Sequence, residues 1–243
     1  MAGHSIGELT AAHIAGVLDL EDAAKLVAAR ARLMQSLPSG GAMVTTTAPA
    51  ETVAGLLTER TAIAAYNSPT NTVISGDADD IAAIRDALTE QGHRVRELKV
   101  SHAFHSPLMD PVLEEFAAIA GTVTFRRPRI PLVTAAEGDP LTPDYWARHI
   151  RDSVRFEQAV RTLADQGVTT YLELGPAPHL TSAVNDTLDT TACIPTLRPD
   201  HREPHALLTA LATLHTRGTS LDWPAILPGG KRVDLPTYAF QHQ

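Results

Sequence analysis

The chain has 243 residues, 44% hydrophobic and 20% charged, enough to bury the core of one large domain or two small ones. Its formal charge of −8, from 20 Lys and Arg against 28 Asp and Glu, argues against a nucleic-acid or anionic-membrane surface, because phosphate binding needs a basic face. One cysteine, Cys193, excludes an intrachain disulfide; with no apolar run of membrane length and no signal-peptide pattern, the expectation is a soluble, cytoplasmic chain.

In chain order, Gly3-His4-Ser5-Ile6-Gly7-Glu8 reads as a turn leading into an Ala-rich helix over 9–17 that Gly16 ends or interrupts. A second helix opens at Asp19, has Glu21 and Asp22 in its first turn where the helix dipole favours negative charge, and runs to about Leu37. Its apolar stripe is Ala23, Leu26, Val27, Leu33 and Met34. Then come a strand (42–47), a helix (50–59), strands (63–67 and 72–75) joined by the turn Ser68-Pro69-Thr70-Asn71, a helix (79–91) and a strand (94–100). That order, βαββαβ, is the ferredoxin-like pattern. Beyond it the sequence predicts a helix over 107–120, a strand over 130–134, helices over 143–151 and 154–166, a strand over 168–174, a helix over 203–217 and a Pro- and Gly-containing tail at 224–230. A small α/β unit is thus inserted between pieces of a larger one.

Gly3-His4-Ser5-Ile6-Gly7 matches the G-x-S-x-G elbow, where small flanking residues let the chain turn sharply and leave a nucleophilic hydroxyl exposed. The N–H after the serine, that of Ile6, and the helix N-terminus then favour a developing oxyanion. By itself the pentapeptide is equally an ordinary turn. The best base for Ser5 is in Ser101-His102-Ala103-Phe104-His105-Ser106-Pro107: Ser106 suits an N-cap and Pro107 the first helical position, which puts His105 just ahead of a helix N-terminus. There the dipole disfavours imidazolium and keeps the ring able to accept a proton; the plain alternative is a capping or surface histidine. A metal pair of His102 and His105 would need a third ligand that nothing nearby supplies, and no metal or bound cofactor is expected. Arg30 falls on the apolar stripe of the second helix, three or four residues from Leu26, Val27, Leu33 and Met34. An arginine there either snorkels to water or is held for an anion.

Taken together, Gly3-His4-Ser5-Ile6-Gly7-Glu8, Leu26-Val27-Ala28-Ala29-Arg30, His102-Ala103-Phe104-His105 and Leu172-Glu173-Leu174-Gly175-Pro176 resemble the acyltransferase domains of modular type I polyketide synthases, a family that includes malonyl-CoA:acyl carrier protein transacylases. The resemblance covers nearly the whole chain, and the tail Leu235-Pro236-Thr237-Tyr238-Ala239-Phe240-Gln241 resembles the linker that follows such domains. It implies an α/β fold, an incomplete α/β-hydrolase-like large subdomain (1–40 and 102–222) with a ferredoxin-like small subdomain (41–101) inserted and a linker over 223–243.

The same resemblance implies that Ser5 attacks the thioester of malonyl-CoA, that His105 takes its proton and that Arg30 clamps the free carboxylate, with Ile6, His102 and Phe104 beside the substrate. A backbone carbonyl near His149 would orient His105, leaving the side chain at 149 with little to do. His102-Ala103-Phe104-His105 resembles the form tied to malonyl selection, whereas methylmalonyl-selective relatives usually carry Tyr-Ala-Ser-His. CoA thioester and the phosphopantetheine of an acyl carrier protein are the implied substrates, and neighbouring synthase domains the implied partners in antibiotic-type biosynthesis. In this family a strand feeds the elbow and an earlier Gly-Gln-Gly segment supplies a second oxyanion donor, whereas only Met1 and Ala2 precede Gly3 here. The corresponding expectation is an N-terminally truncated fragment with poor activity alone. The competing readings are an α/β-hydrolase or thioesterase, which also places Ser before His, and an inactive docking or scaffold remnant.

Overall fold

The computed structural model describes residues 1–189, 192–229 and 233–236. The chain divides into two compact units, one formed by Met1–Glu173 with His179–Cys193 and the other by Leu174–Pro178 with the chain from Ile194 onward.

In the first unit, α1 (Ile6–Ala15) starts directly after Ser5, earlier than expected, and Gly16 ends it in the left-handed conformation at φ 90°. α2 (Leu20–Gln35) opens on Asp19, whose carboxylate accepts the Asp22 N–H at 2.9 Å. Its buried face is Ala23, Leu26, Ala29, Arg30, Leu33 and Met34. Val27, expected on that face, is 38% exposed because it lies at the rim.

β1 (Gly41–Thr46), α3 (Ala50–Ala54), β2 (Thr61–Ser68), β3 (Asn71–Asp77), α4 (Ala78–Glu90) and β4 (Val95–Glu97) realise the βαββαβ order. The sheet runs β2-β3-β1-β4, antiparallel throughout, and Ser68 faces Asn71 across the expected hairpin turn. α3 is shorter than expected because Gly55 caps it, and β4 is short because it pairs with β1 alone. Alternation along the strands buries both faces. Val44, Ile63 and Ile74 pack with Ile81, Ile84 and Leu88 of α4, while Met43, Ala64 and Val73 point the other way. A register shift between Ile63 and Ala65 puts two consecutive alanines, Ala64 and Ala65, on that second face.

One helix was expected over 107–120. A 3-10 helix over Pro107–Val112 instead leads into α5 (Leu113–Ala120), because Pro111 has no N–H to give an α-helical ladder. The expected strand at 130–134 does not form. Its backbone makes one rung with the first residue, the Met1 amine donating to the Pro131 carbonyl at 2.6 Å and Val133 N–H to the Met1 carbonyl at 2.8 Å. α6 (Pro143–Arg151) has its expected bounds, with Thr142 as N-cap. α7 (Phe156–Asp165) starts later than expected because Val154 is tied to β2, donating to the Ala64 carbonyl and accepting from Tyr66 N–H, both at 2.9 Å. β5 (Thr170–Glu173) follows, and α8 (Thr181–Thr187) was not legible in seven mostly polar residues.

Glu173, the acid of the Leu172–Pro176 motif, explains where α8 begins: its carboxylate accepts the N–H groups of Leu180 and Thr181 and the Thr181 hydroxyl at 2.7 to 2.9 Å. A core of Leu9, Leu18, Leu26, Leu33, Phe116, Trp146 and Ile150 joins α1, α2, α5 and α6.

β6 (Ala192–Pro195) carries the chain into the second unit, where α9 (Glu203–Thr216) and α10 (Trp223–Ile226) follow. Ile194, Ala210 and Leu214 form its small core. The short α10 was not expected in the tail, and residues 237–241 of the linker-like motif lie outside the described residues. Among the described residues no helix is long and apolar enough to cross a membrane.

Candidate active site

Ser5 sits at the hinge between the chain start and α1 with φ 51° and ψ −122°, a conformation an L-residue adopts only under constraint. Gly3 makes the turn possible: a Cβ there would stand 2.3 Å from the Gly7 carbonyl oxygen and 2.4 Å from Glu8 Cα. Gly7 is different, since a Cβ there would meet nothing within 4 Å. Ile6 is the first residue of α1, where helix N–H groups have no intrahelical acceptor, while its side chain is 45% exposed.

The Ser5 hydroxyl lies 2.6 Å from His105 Nε2. His105 also has a positive φ, 56°, and precedes the 3-10 helix capped by Ser106, whose hydroxyl accepts Leu108 N–H at 3.2 Å. His105 Nδ1 lies 2.8 Å from the Asp152 carbonyl at the end of α6. A carbonyl only accepts, so Nδ1 carries the proton and Nε2 is left to accept from Ser5. The orienting carbonyl is therefore that of Asp152, shortly after the expected position of His149. Burial holds His105 well below the ordinary histidine range, and the Arg30 cation adds to it.

Arg30 does not snorkel. It is buried, its Nη2 donates to Ser5 Oγ at 3.0 Å and its Nη1 to His149 Nδ1 at 3.3 Å. Burial pushes the guanidinium down to about 10, against the pull of Glu8, so it stays a cation at neutral pH. The His149 side chain, expected to be idle, is thus part of the site. Its other ring nitrogen faces Glu8 Oε2 at 3.6 Å. Glu8 is fully buried, accepts Ala135 N–H at 2.9 Å and takes the Tyr145 hydroxyl on its second oxygen. Burial and that carboxylate hold the Tyr145 hydroxyl protonated.

Glu8, Tyr145 and Asp152 were missed from the sequence. For Glu8 a signal existed: Glu8, Ala11, Ala12 and Ala15 are all buried, at helical spacing, so Glu8 lies on an apolar stripe as Arg30 does. Asp152 acts through its backbone and carries no side-chain signal.

His102 is not brought to Ser5 by its hydrogen bonds, which run to the Leu37 carbonyl at 3.2 Å and Ser101 Oγ at 3.0 Å. It fastens this loop to the end of α2. Phe104 is partly buried between the two core clusters on either side of the loop. His4 is bound to Asn67 Oδ1 of β2 at 2.8 Å, and Asn67 in turn donates to Asn71 at 3.1 Å, which links the elbow to the small subdomain.

A hydroxyl, a neutral imidazole with a fixed tautomer and a buried guanidinium on one oxygen can perform nucleophilic acyl chemistry on a group that carries an anion. The family model for the acyl transferase domain matches residues 1–220. The chain belongs to the acyltransferase domain family of polyketide synthases. The acyltransferase is 48% identical over 99% of its length to a phenolphthiocerol synthesis polyketide synthase type I of Mycobacterium marinum, of which it spans 12%. It is also 48% identical to the mycoketide-CoA synthase of Mycobacterium tuberculosis, of which it spans 6%.

Among solved structures, the acyltransferase domain from the second module of the salinomycin polyketide synthase superposes with a TM-score of 0.92 at 45% identity, covering 97% of this chain and 59% of that one. The malonyl CoA-acyl carrier protein transacylase of Coxiella burnetii superposes with a TM-score of 0.78 at 25% identity, over 88% of this chain and 71% of that one. The acyltransferase shares with these domains an α/β-hydrolase-like subdomain and a ferredoxin-like one.

Proposed function

We propose that this acyltransferase loads a malonyl extender unit from CoA onto the phosphopantetheine thiol of an acyl carrier protein through a malonyl ester on Ser5. The observation that carries the reading is the convergence of His105 Nε2, at 2.6 Å, and Arg30 Nη2, at 3.0 Å, on Ser5 Oγ. His105 takes the Ser5 proton as Oγ attacks the thioester carbonyl, then delivers it to the departing CoA sulfur. In the second half the carrier thiol gives its proton to His105, attacks the ester carbonyl, and Ser5 leaves with the proton restored. The N–H of Ile6 at the start of α1 favours the oxyanion in both halves. Arg30 pairs with the malonyl carboxylate. No metal or bound cofactor enters these steps.

Phe104 narrows the space at the substrate α-carbon and disfavours a methyl branch. We assign 1–40 and 102–222 to the large subdomain, 41–101 to the small one and 223–243 to a linker, in a cytoplasmic synthase whose carrier and neighbouring domains are the partners. Incubation of the synthase that carries this domain with malonyl-CoA, followed by peptide mass spectrometry, is expected to find malonyl on Ser5. Arg30→Ala is expected to abolish malonylation while acetyl-CoA still acylates Ser5. A neutral ester hydrolysed at the same rate by wild type and Arg30→Ala, with no malonyl-enzyme, would support a hydrolase instead.

A further inference from the structure

Arg30 reaches Ser5 from inside a helix packing face, where a long side chain has no solvent cage to hold it in one rotamer. Two groups remote from Ser5 Oγ supply that hold. Nη1 donates to His149 Nδ1 at 3.3 Å. A guanidinium has no acceptor, so His149 Nδ1 must accept and the ring proton must be on Nε2. That nitrogen faces Glu8 Oε2 at 3.6 Å. Glu8 is itself fixed by Ala135 N–H at 2.9 Å and by the Tyr145 hydroxyl. Glu8, Arg30 and His149 are 0%, 4% and 3% exposed, so each is shielded from competing water. Hydrogen bonds thus join Tyr145 to Glu8 and His149 to Arg30 and Ser5, and a 3.6 Å contact between His149 Nε2 and Glu8 Oε2 brings the two sets together in one buried row with a single consistent placement of the His149 proton.

We infer that Glu8 and His149 are positioning residues that aim the Arg30 guanidinium at the acyl pocket, so that preference for a carboxylate-bearing acyl group over a neutral one depends on them. This inference rests on the reading of Arg30 as the carboxylate partner. An aimed guanidinium meets the substrate carboxylate without first losing rotamer freedom, whereas an unaimed one is free to turn toward Glu8 directly. The effect therefore falls more heavily on malonyl than on acetyl, which has no carboxylate to meet Arg30.

The test compares Ser5 acylation by malonyl-CoA and by acetyl-CoA in wild type, His149→Leu, His149→Asn and Glu8→Gln, with thermal melting of each. His149→Leu removes the acceptor; it is expected to lower the malonyl-to-acetyl preference about 10-fold or more, chiefly through KM for malonyl-CoA. His149→Asn is expected to restore most of it, because Asn Oδ1 occupies about the place of imidazole Nδ1 and also accepts. Glu8→Gln keeps an acceptor for Tyr145 but puts an amide N–H against the His149 ring or Ala135 N–H, and is expected to lower the preference in the same direction. It carries the test if His149→Leu does not fold. Unchanged preference in a folded His149→Leu or Glu8→Gln chain would overturn the inference, as would equal loss for malonyl and acetyl, the mark of a merely structural role. A wild type with no acylation would instead overturn the reading of Ser5 as the acylated nucleophile, and one with no preference for malonyl the reading of Arg30.

Discussion

Acid should weaken this fold through His105, and the size of the effect follows from its surroundings. Its Nδ1–H is held by the Asp152 carbonyl at 2.8 Å, and its Nε2 accepts from Ser5 at 2.6 Å with the Arg30 cation on the same oxygen. A second proton must displace the serine and enter a buried site beside a positive charge, so the folded chain takes it up well below the ordinary value. The unfolded chain takes it up near pH 6.5. Between those two values the unfolded state binds one more proton, so unfolding free energy falls as pH falls; above the unfolded value the contribution is constant. For one histidine that stays neutral the loss is about 1 kcal/mol over the first pH unit below 6.5. His4 is shifted the same way, by burial first, and adds to the slope. Denaturant titrations of wild type and His105→Gln at stepped pH measure the difference directly. The variant should lose about 1 kcal/mol less between pH 6.5 and 5.5. Identical pH dependence in the two proteins would refute the argument, and so would a wild-type rate of Ser5 acylation that halves at pH 6.5.

The two glycines of the elbow should respond with opposite signs. Gly3→Ala drives a Cβ into backbone 2.3 Å away and is expected to cost about 3 kcal/mol in denaturant titration, whereas Gly7→Ala meets open space inside a helix and should stabilise by up to about 1 kcal/mol. Ile74→Ala, in the interior strand β3 and fully buried, should cost about 2 to 5 kcal/mol, while Val27→Ala at the rim of α2 should stay within about 0.5 kcal/mol by the same measurement. Phe104→Ser should raise Ser5 acylation by methylmalonyl-CoA relative to malonyl-CoA by about 10-fold, since one methyl group is worth about 1 to 3 kcal/mol of discrimination; an unchanged ratio in competition would remove Phe104 from substrate selection.

Much of the site is written locally. The glycine and serine of the elbow, the Ser106-Pro107 cap that follows His105 and the apolar spacing that singles out Arg30 are short-range patterns, and a chain segment obeys them wherever it is placed. The βαββαβ order is local for the same reason, because strand and helix periods differ and hairpin turns announce themselves. Short elements such as α8 and α10 escaped because seven and four residues are too few to show a period.

What only the tertiary structure decided is which group answers which. Spacing left Arg30 between snorkelling and anion binding, and the packing of α2 ended the first alternative by burying its guanidinium against Ser5 and His149. The carbonyl that fixes the His105 tautomer belongs to Asp152, at a helix end 47 residues away, and a backbone oxygen has no residue type by which to be found. The failed strand at 130–134 has the same origin, since its sequence sets its own preference but a ladder requires a neighbour in register. Residue types and their periods therefore singled out Ser5 and His105 as candidates and determined the element order of the small subdomain. Long-range packing determined the charges and tautomers, because these depend on burial and on partners that the chain brings together only once folded.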